Sequence, residues 1–278
     1  MSIHAINPII TGPAADTAES NRSFVGSLNE FLDICGVPRG VQPSDPTPAI
    51  SGRSVRAGTH LVHEGGPVET LYLVRSGTFK TYRMTEDGYE QVLAFSIRGE
   101  LLAYDAMPLE QHPAAILALE ESTAFMIPHR KAKALMETVP GFASALCRAG
   151  GLTLMRSREL VDVLAAVSSD VRLARFLLLH GRRMRANGQS PRQFHLRMDR
   201  RELGSLLGVA HETVSRGFGT LAAMGFLHVN DRYVDIVDMA GLHTFASHTR
   251  RTAEHAEWVR QRTVGAHPNP KQAVAWAA

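Results

Sequence analysis

The chain has 278 residues, 44% of them hydrophobic, and a formal net charge of +3; it can bury the core of one large or two ordinary domains, which excludes a disordered tail protein. The charge is uneven, with 13 arginines against 6 acidic residues from Arg148 to Arg216, an excess that suits a phosphate backbone or a solvated helix face. Two cysteines, Cys35 and Cys147, exclude a disulfide framework; no apolar window approaches the length of about 18 residues that spans a bilayer, and the start MSIHAINPII lacks a signal-peptide core, so a cytoplasmic protein without membrane contact is expected.

Residues 1–22, with Pro8, Gly12 and Pro13, read as a loose arm. Ser23–Cys35 carries Phe24, Val25, Leu28, Phe31 and Leu32 at helical spacing and predicts a short helix. Pro38 to Pro48 reads as a linker. From Arg53 to Pro128 the texture changes to β-type runs at His60–His63, Leu71–Val74, Thr78–Met84, Gln91–Ile97, Ala115–Leu119 and Ala124–Ile127. Turn signals at Gly65-Gly66-Pro67, Ser76-Gly77, Glu86-Asp87-Gly88 and Arg98-Gly99 separate them, a spacing that predicts a sandwich, jelly roll or barrel. Leu93, Phe95 and Ile97 share a face by the two-residue period and are expected to point inward. His60 and His63 are an odd number of residues apart, so they are expected on opposite faces. That argues against a shared metal site, and with it against a cupin-like metal enzyme carrying a DNA-binding tail.

His129 to Val167 turns helical and basic. Gly150-Gly151 interrupts it, each glycine costing about 1 kcal/mol against alanine, so either the helix breaks there or another backbone comes close. The following LVDVLAAV is apolar on more than one face, should be buried on several sides, and reads as an inter-subunit helix. Ser169-Asp170 opens a further helix that ends near Asn187-Gly188. Next comes a winged helix-turn-helix pattern. Its first helix, Asp199–Leu207, has a capping-box spacing from Asp199 to Glu202, and Gly208 falls where the chain must turn. Its second helix starts near His211 or Glu212 and carries Thr213, Ser215 and Arg216 in its first turns, where such helices enter the major groove. Leu203, Leu206, Leu207 and Val209 should meet Val214, Leu221 and Met224 as core, and the runs around Asn230-Asp231 read as a hairpin wing. Residues 240–265 could form one more helix, and the tail with Pro268 and Pro270 reads as disordered.

Three stretches carry a family resemblance. LYLVRSGTFKTYRMTEDGYEQVLAF, then GELLAYDAM with HPAAILALEESTAFMIP, and finally HETVSR resemble the CRP/FNR family of bacterial transcription regulators, closest to the FNR branch, over about residues 28–250. The resemblance implies an α+β fold: a cyclic-nucleotide-binding-like β-roll (jelly roll), a long dimerisation helix and a C-terminal winged helix-turn-helix. The expected division is 1–48 an N-terminal arm and short helix, 49–130 the β-roll sensor domain, 131–168 the dimerisation helix region, 169–248 the DNA-binding domain and 249–278 a C-terminal extension. It also implies a homodimer on a TTGAT-like inverted repeat of double-stranded DNA, in contact with RNA polymerase. Arg216 has the chemistry for a bidentate contact to guanine, Glu212 can accept from a cytosine amino group, and Ser215 can sit by a thymine methyl. His211 and Thr213 complete the candidate DNA-binding set. Thr85, Glu86, Asp87 and Gly88 form the turn that the resemblance lends to polymerase contact; a solvated turn is the plain alternative.

The same resemblance sets two negative expectations. A [4Fe–4S] cluster needs four thiolates in this branch, whereas the chain has Cys35 and Cys147 only and carries Phe125 where the family has another ligand. No Arg or Lys occurs from Leu101 to Ile127 to hold a nucleotide phosphate beyond Gly99-Glu100, so cAMP is not expected. The cofactor stays unknown: His112 or His211 as a haem ligand, or a cysteine as a redox thiol, would make the same regulator a gas or redox sensor. Finally, Gly217 and Gly219 should loosen the second helix by roughly 1–2 kcal/mol, so that it orders fully on DNA.

Overall fold

The computed structural model describes residues 22–38 and 48–248. The loose arm to residue 21, most of the linker and everything from residue 249 lie outside these described residues.

The expected β-runs form a roll of two sheets. One has the order β1 (Ser23–Ser27), β2 (Ala49–Val55), β9 (Ser122–Pro128), β4 (Thr70–Ser76), β7 (Leu101–Leu102); the other has β3 (His60–Val62), β8 (Ala115–Ala118), β5 (Phe79–Met84), β6 (Glu90–Ser96). Strand alternation sends Val74, Phe79, Ile116 and Ala124 into the space between the sheets. The neighbouring residues turn outward, and both outer faces are covered. Leu71, Leu73, Phe125 and Ile127 pack on the helices α1 (Leu28–Ile34), α2 (His129–Thr138) and α3 (Phe142–Leu164). Tyr82, Val92 and Phe95 share a core with the helices α4 (Ser169–Ala186) and α5 (Arg200–Leu207).

The helix expected over Ser23–Cys35 is a helix only from Leu28. Ser23–Ser27 is a strand, paired antiparallel to β2 from Ser23↔Arg53 to Ser27↔Ala49. Two glycines decide this: a Cβ on Gly52 would lie 2.1 Å from the Phe24 ring, and one on Gly26 would lie 2.5 Å from the Phe125 ring. Aromatic rings lie over bare backbone across the sheet, a complementarity that helical spacing does not register. Ser27 then caps α1 by accepting from the Asn29 N–H at 3.1 Å.

Two expected facings are corrected by strand irregularities. Thr81 pairs with Ala94 but Tyr82 with Val92, so Leu93 is the extra residue of a β-bulge. Val92 and Phe95 are buried as a result, and Leu93 is 39% exposed instead of pointing inward. Register also shifts between His60 and Val62, and the His60 and His63 rings stack at 4.6 Å instead of facing apart. The Tyr82 hydroxyl meets His60 Nε2 at 2.7 Å.

α3 runs unbroken through Gly150-Gly151. The close neighbour is a side chain, not a backbone: a Cβ on Gly150 would stand 2.6 Å from the Tyr104 ring. LVDVLAAV is not buried on several sides in the single chain, because Val161 is 65% and Val167 69% exposed. α4 and α5 follow, then α6 (His211–Ala223) and the three-stranded sheet β10 (Gln193–His195), β12 (Tyr233–Ile236), β11 (Leu227–Asn230). The last helix, α7 (Met239–Ala246), ends well short of the span expected for it, and residues 249–265 of that span lie outside the described residues. Among the described residues no helix is long and apolar enough to cross a membrane.

Candidate nucleic-acid interface

α5 begins with both halves of the capping box in place. Asp199 Oδ1 accepts from the Glu202 N–H and Glu202 Oε2 from the Asp199 N–H, each at 2.8 Å. It ends at Gly208, whose φ of 65° is the left-handed conformation that a non-glycine residue resists. Three residues on, His211 starts α6. Val214, Phe218 and Leu221 bury one face of that helix against Leu203, Leu206 and Leu207, with Met224 beside them and Val209 partly buried. The opposite face carries His211, Glu212, Ser215 and Arg216, all exposed, with Thr213 half-buried at its edge.

These candidates are brought together by helix geometry and tied to one another. His211 Nε2 lies 3.2 Å from Glu212 Oε1. Arg216 Nη2 donates to Thr213 Oγ1 at 3.2 Å, and Ser215 Oγ donates to the His211 carbonyl at 3.1 Å. Chemically the face offers a guanidinium, a carboxylate and a hydroxyl within two helical turns, the groups that read base edges. Gly217 is buried against α4, where a Cβ would come within 3.1 Å of Asp170 Oδ1 and Leu173 Cδ2.

Arginines that count in the sequence only as charge have definite places. The Arg200 guanidinium stacks 3.7 Å from the Phe218 ring centroid and donates to the Asp231 carbonyl at 2.7 Å, joining the start of α5 to the wing. Arg232 Nη1 donates to the Arg197 carbonyl at 3.0 Å. Aromatic residues spaced from arginines in sequence give no signal for such pairings. The wing turns at Asp231, a non-glycine residue at a φ of 51°, as the Asn-Asp signal predicts.

The rest of the candidates lie on the roll. Thr85–Gly88 is an exposed hairpin end closed by the Thr85 N–H to Tyr89 carbonyl bond at 2.9 Å. The Thr85 hydroxyl donates to Asp87 and holds its carboxyl below the usual range. His112 is buried in the loop before β8, where burial lowers its pKa, and the exposed His211 stands apart from it on α6.

Neither group that the resemblance brings to mind fits the residues present. Cys35 is buried in the apolar core with Leu28, Phe31 and Phe142, and burial, partly countered by Arg148, pushes its thiol up to about 12. Phe125 fills its position as a core aromatic, its ring centroid 6.0 Å from that of Phe31. Among the described residues no group of three or more His, Cys, Asp or Glu could hold a metal ion. The cluster between the sheets is made of hydrophobic residues. Lys80, the buried cation of the roll, is held by Glu90 and Glu202, each at 2.9 Å.

Two family models match the chain: a cyclic nucleotide-binding domain over residues 52–139 and a Crp-like helix-turn-helix domain over residues 171–245. The chain is 37% identical over 182 residues to the anaerobic regulatory protein of Pasteurella multocida (strain Pm70), covering 66% of this chain and 67% of that protein. It is 33% identical over 201 residues to the fumarate and nitrate reduction regulatory protein of Escherichia coli (strain K12), covering 72% and 80%. Among solved structures, FixK2 from Bradyrhizobium japonicum aligns with a TM-score of 0.62 at 24% identity, over 73% of this chain and 98% of that one. A transcriptional regulator of the CRP/FNR family from Thermus thermophilus aligns with a TM-score of 0.57 at 19% identity, over 71% and 99%, and shares the fold. With the β-roll, the long helix and the winged pair of helices all in place, the chain belongs to the CRP/FNR family of DNA-binding transcription regulators, which act by binding DNA and not as enzymes.

Proposed function

We propose that the chain works in the cytoplasm as a homodimer that reads a TTGAT-like inverted repeat with Glu212, Ser215 and Arg216 and regulates transcription in contact with RNA polymerase. The observation that carries this reading is the two-sided burial of α6, apolar face inward and every candidate base-reading side chain outward. His211 and Thr213 steady that face through the Glu212 and Arg216 contacts. Dimerisation is supported by Leu154, Met155, Val161 and Leu164, apolar and exposed along α3. Such a stripe needs a partner, and a second copy supplies the two-fold symmetry of an inverted repeat. The exposed Thr85–Gly88 turn is the proposed polymerase contact. In this division of labour, 49–130 is the sensor, 131–168 the dimerisation region and 169–248 the DNA-binding domain.

The test is a gel-shift titration of wild type and Arg216→Ala on the inverted repeat. Loss of a bidentate contact removes roughly 1–3 kcal/mol of discrimination in each half-site, so the variant should bind specific and scrambled duplexes alike while sedimenting as the wild type does. Undiminished preference for the repeat would reject the assignment.

A further inference from the structure

Away from the DNA-reading face, a cavity of about 180 Å³ lies where β6, α3, α4 and α5 meet. Its walls are mostly apolar, formed by Phe95, Leu101, Leu160, Phe176, Leu179 and Leu206. One end is not. There Glu100, 5% exposed, points a single carboxylate oxygen at two arginines. Arg183 donates to Glu100 Oε1 through Nε at 3.2 Å and also through Nη2, which bonds the Phe95 carbonyl at 2.6 Å as well. Arg156 Nη1 lies 3.2 Å from the same oxygen but lacks hydrogen-bond geometry, and this buried nitrogen has no hydrogen-bond partner.

Two guanidiniums against one carboxylate leave one unit of positive charge beside an apolar space. Glu159, also on the wall, acts on the Arg156 charge but pairs with a third guanidinium, Arg182, at 3.3 Å, so three arginines face two carboxylates and the excess of one positive charge remains. A buried guanidinium nitrogen without an acceptor is costly, and a cavity of this size accepts a molecule, since about 150 Å³ of apolar space holds benzene. Leu93, turned outward by the β-bulge, lines the cavity and is 39% exposed, which puts it on the rim.

We propose that this cavity binds a small organic carboxylate, its charged end between Arg156 and Arg183 and its apolar body against Phe95, Leu160, Phe176 and Leu179. A bound carboxylate makes the charge count even and gives Arg156 the acceptor it lacks. The walls come from the roll and α3 on one side and from α4 and α5 on the other, so occupancy bears on how the helix-turn-helix sits against the roll. Inorganic phosphate fits less well, because most of the wall is hydrocarbon.

Isothermal titration calorimetry of the full chain without DNA tests the site independently of the DNA reading. The probes are 4-methylpentanoate, its neutral amide and inorganic phosphate. The acid should bind as one molecule per chain, and the amide and phosphate should bind at least about tenfold more weakly, the factor that 1.4 kcal/mol gives. Arg156→Gln should weaken the acid by a similar factor. Leu93→Trp, which fills the rim and leaves both arginines untouched, should block it, with circular dichroism confirming that both variants are folded. No binding at millimolar acid, equal binding of acid and amide, or full binding by both folded variants overturns the proposal.

Discussion

Lys80 Nζ of β5 lies 2.9 Å from Glu202 Oε1 of α5, while the other oxygen of that carboxylate closes the capping box at Asp199. One side chain therefore both starts the first helix of the DNA-binding pair and fastens it to the roll. Ser205 adds a second fastening one turn on, accepting from the Val92 N–H at 2.8 Å and donating to the Glu90 carbonyl at 2.7 Å.

The Lys80 side chain is 7% and the Glu202 side chain 16% exposed, and stripping one partner from a buried pair costs about 3–5 kcal/mol. Glu90 is half-exposed and can rehydrate, so Lys80→Met should cost about 3 kcal/mol in urea unfolding, near the low end of that range. Glu202→Gln keeps a capping-box side chain and should cost less. The double variant should fall short of the sum by about 1 kcal/mol or more; strict additivity would show that the pair is uncoupled. Burial works to lower the Lys80 pKa, but its hydrogen bonds to Glu90 and Glu202 outweigh that and leave it raised above 10.5. A raised folded pKa gives stability that is full below the unfolded value and lost as pH rises through the folded one. The wild-type advantage over Lys80→Met should thus hold to about pH 10 and shrink above it.

His180 is expected to limit stability in acid. Its ring is buried between Phe176 and Phe194, with centroids at 5.9 and 4.9 Å, and its Nε2 has no hydrogen-bond partner. Burial first, then the Arg183 charge, lowers its pKa from 6.5 to about 3. Here the folded pKa lies below the unfolded one, so the unfolded chain takes up the proton first. The contribution is complete above pH 6.5 and declines as pH falls toward 3, at about 1.4 kcal/mol per pH unit. His180→Phe removes that slope. Urea unfolding at pH 7 and pH 5 should show the variant gaining on the wild type at the lower pH, and parallel losses would count against a neutral buried His180.

The winged pair of helices is legible in the sequence because its signals are local: Asp199 with Glu202, Gly208, and Asn230-Asp231 each act within a few residues. The proposed base-reading face is legible for the same reason, since helical periodicity alone separates Val214 and Leu221 from Glu212, Ser215 and Arg216. What escapes is set by residues far away in the chain. Phe24 belongs to a strand because Gly52 leaves its ring room, and α3 tolerates Gly150 because Tyr104 needs that gap. Leu93 faces out because a bulge interrupts its pairing with β5. Lys80 and Ser205 resemble ordinary strand and helix residues until the roll and α5 are side by side. Arg156 and Arg183 count only toward a basic stretch until Glu100 gathers them.

The two thiols should differ sharply in reactivity. Cys147 is exposed on α3, and Cys35 is buried with its thiol pushed up to about 12. The thiolate is the nucleophile, so at pH 8 Ellman's reagent should titrate one thiol quickly in the native chain and the second only in denaturant. Cys147→Ser should abolish the fast phase. A fast phase surviving in that variant would assign reactivity to Cys35 and reopen a thiol-based role for it.

Gly217 and Gly219 lie in one turn of α6, but only one of them faces a wall. Alanine in a helix interior is favoured over glycine by about 1 kcal/mol. At Gly219 nothing lies within 4 Å of an added Cβ, so Gly219→Ala should raise stability by about that amount. At Gly217 the added atom would stand 3.1 Å from Leu173 Cδ2, and Leu173 is fixed in the shared core of α4, α5 and α6. Either that side chain or α6 must shift, and overpacking of this kind costs about 1–3 kcal/mol, which cancels or reverses the gain. Urea unfolding of the two variants should therefore separate them by at least about 1 kcal/mol. Equal stabilisation by both would mean that the α4–α6 contact yields freely and that Gly217 matters only as a loose point in the recognition helix.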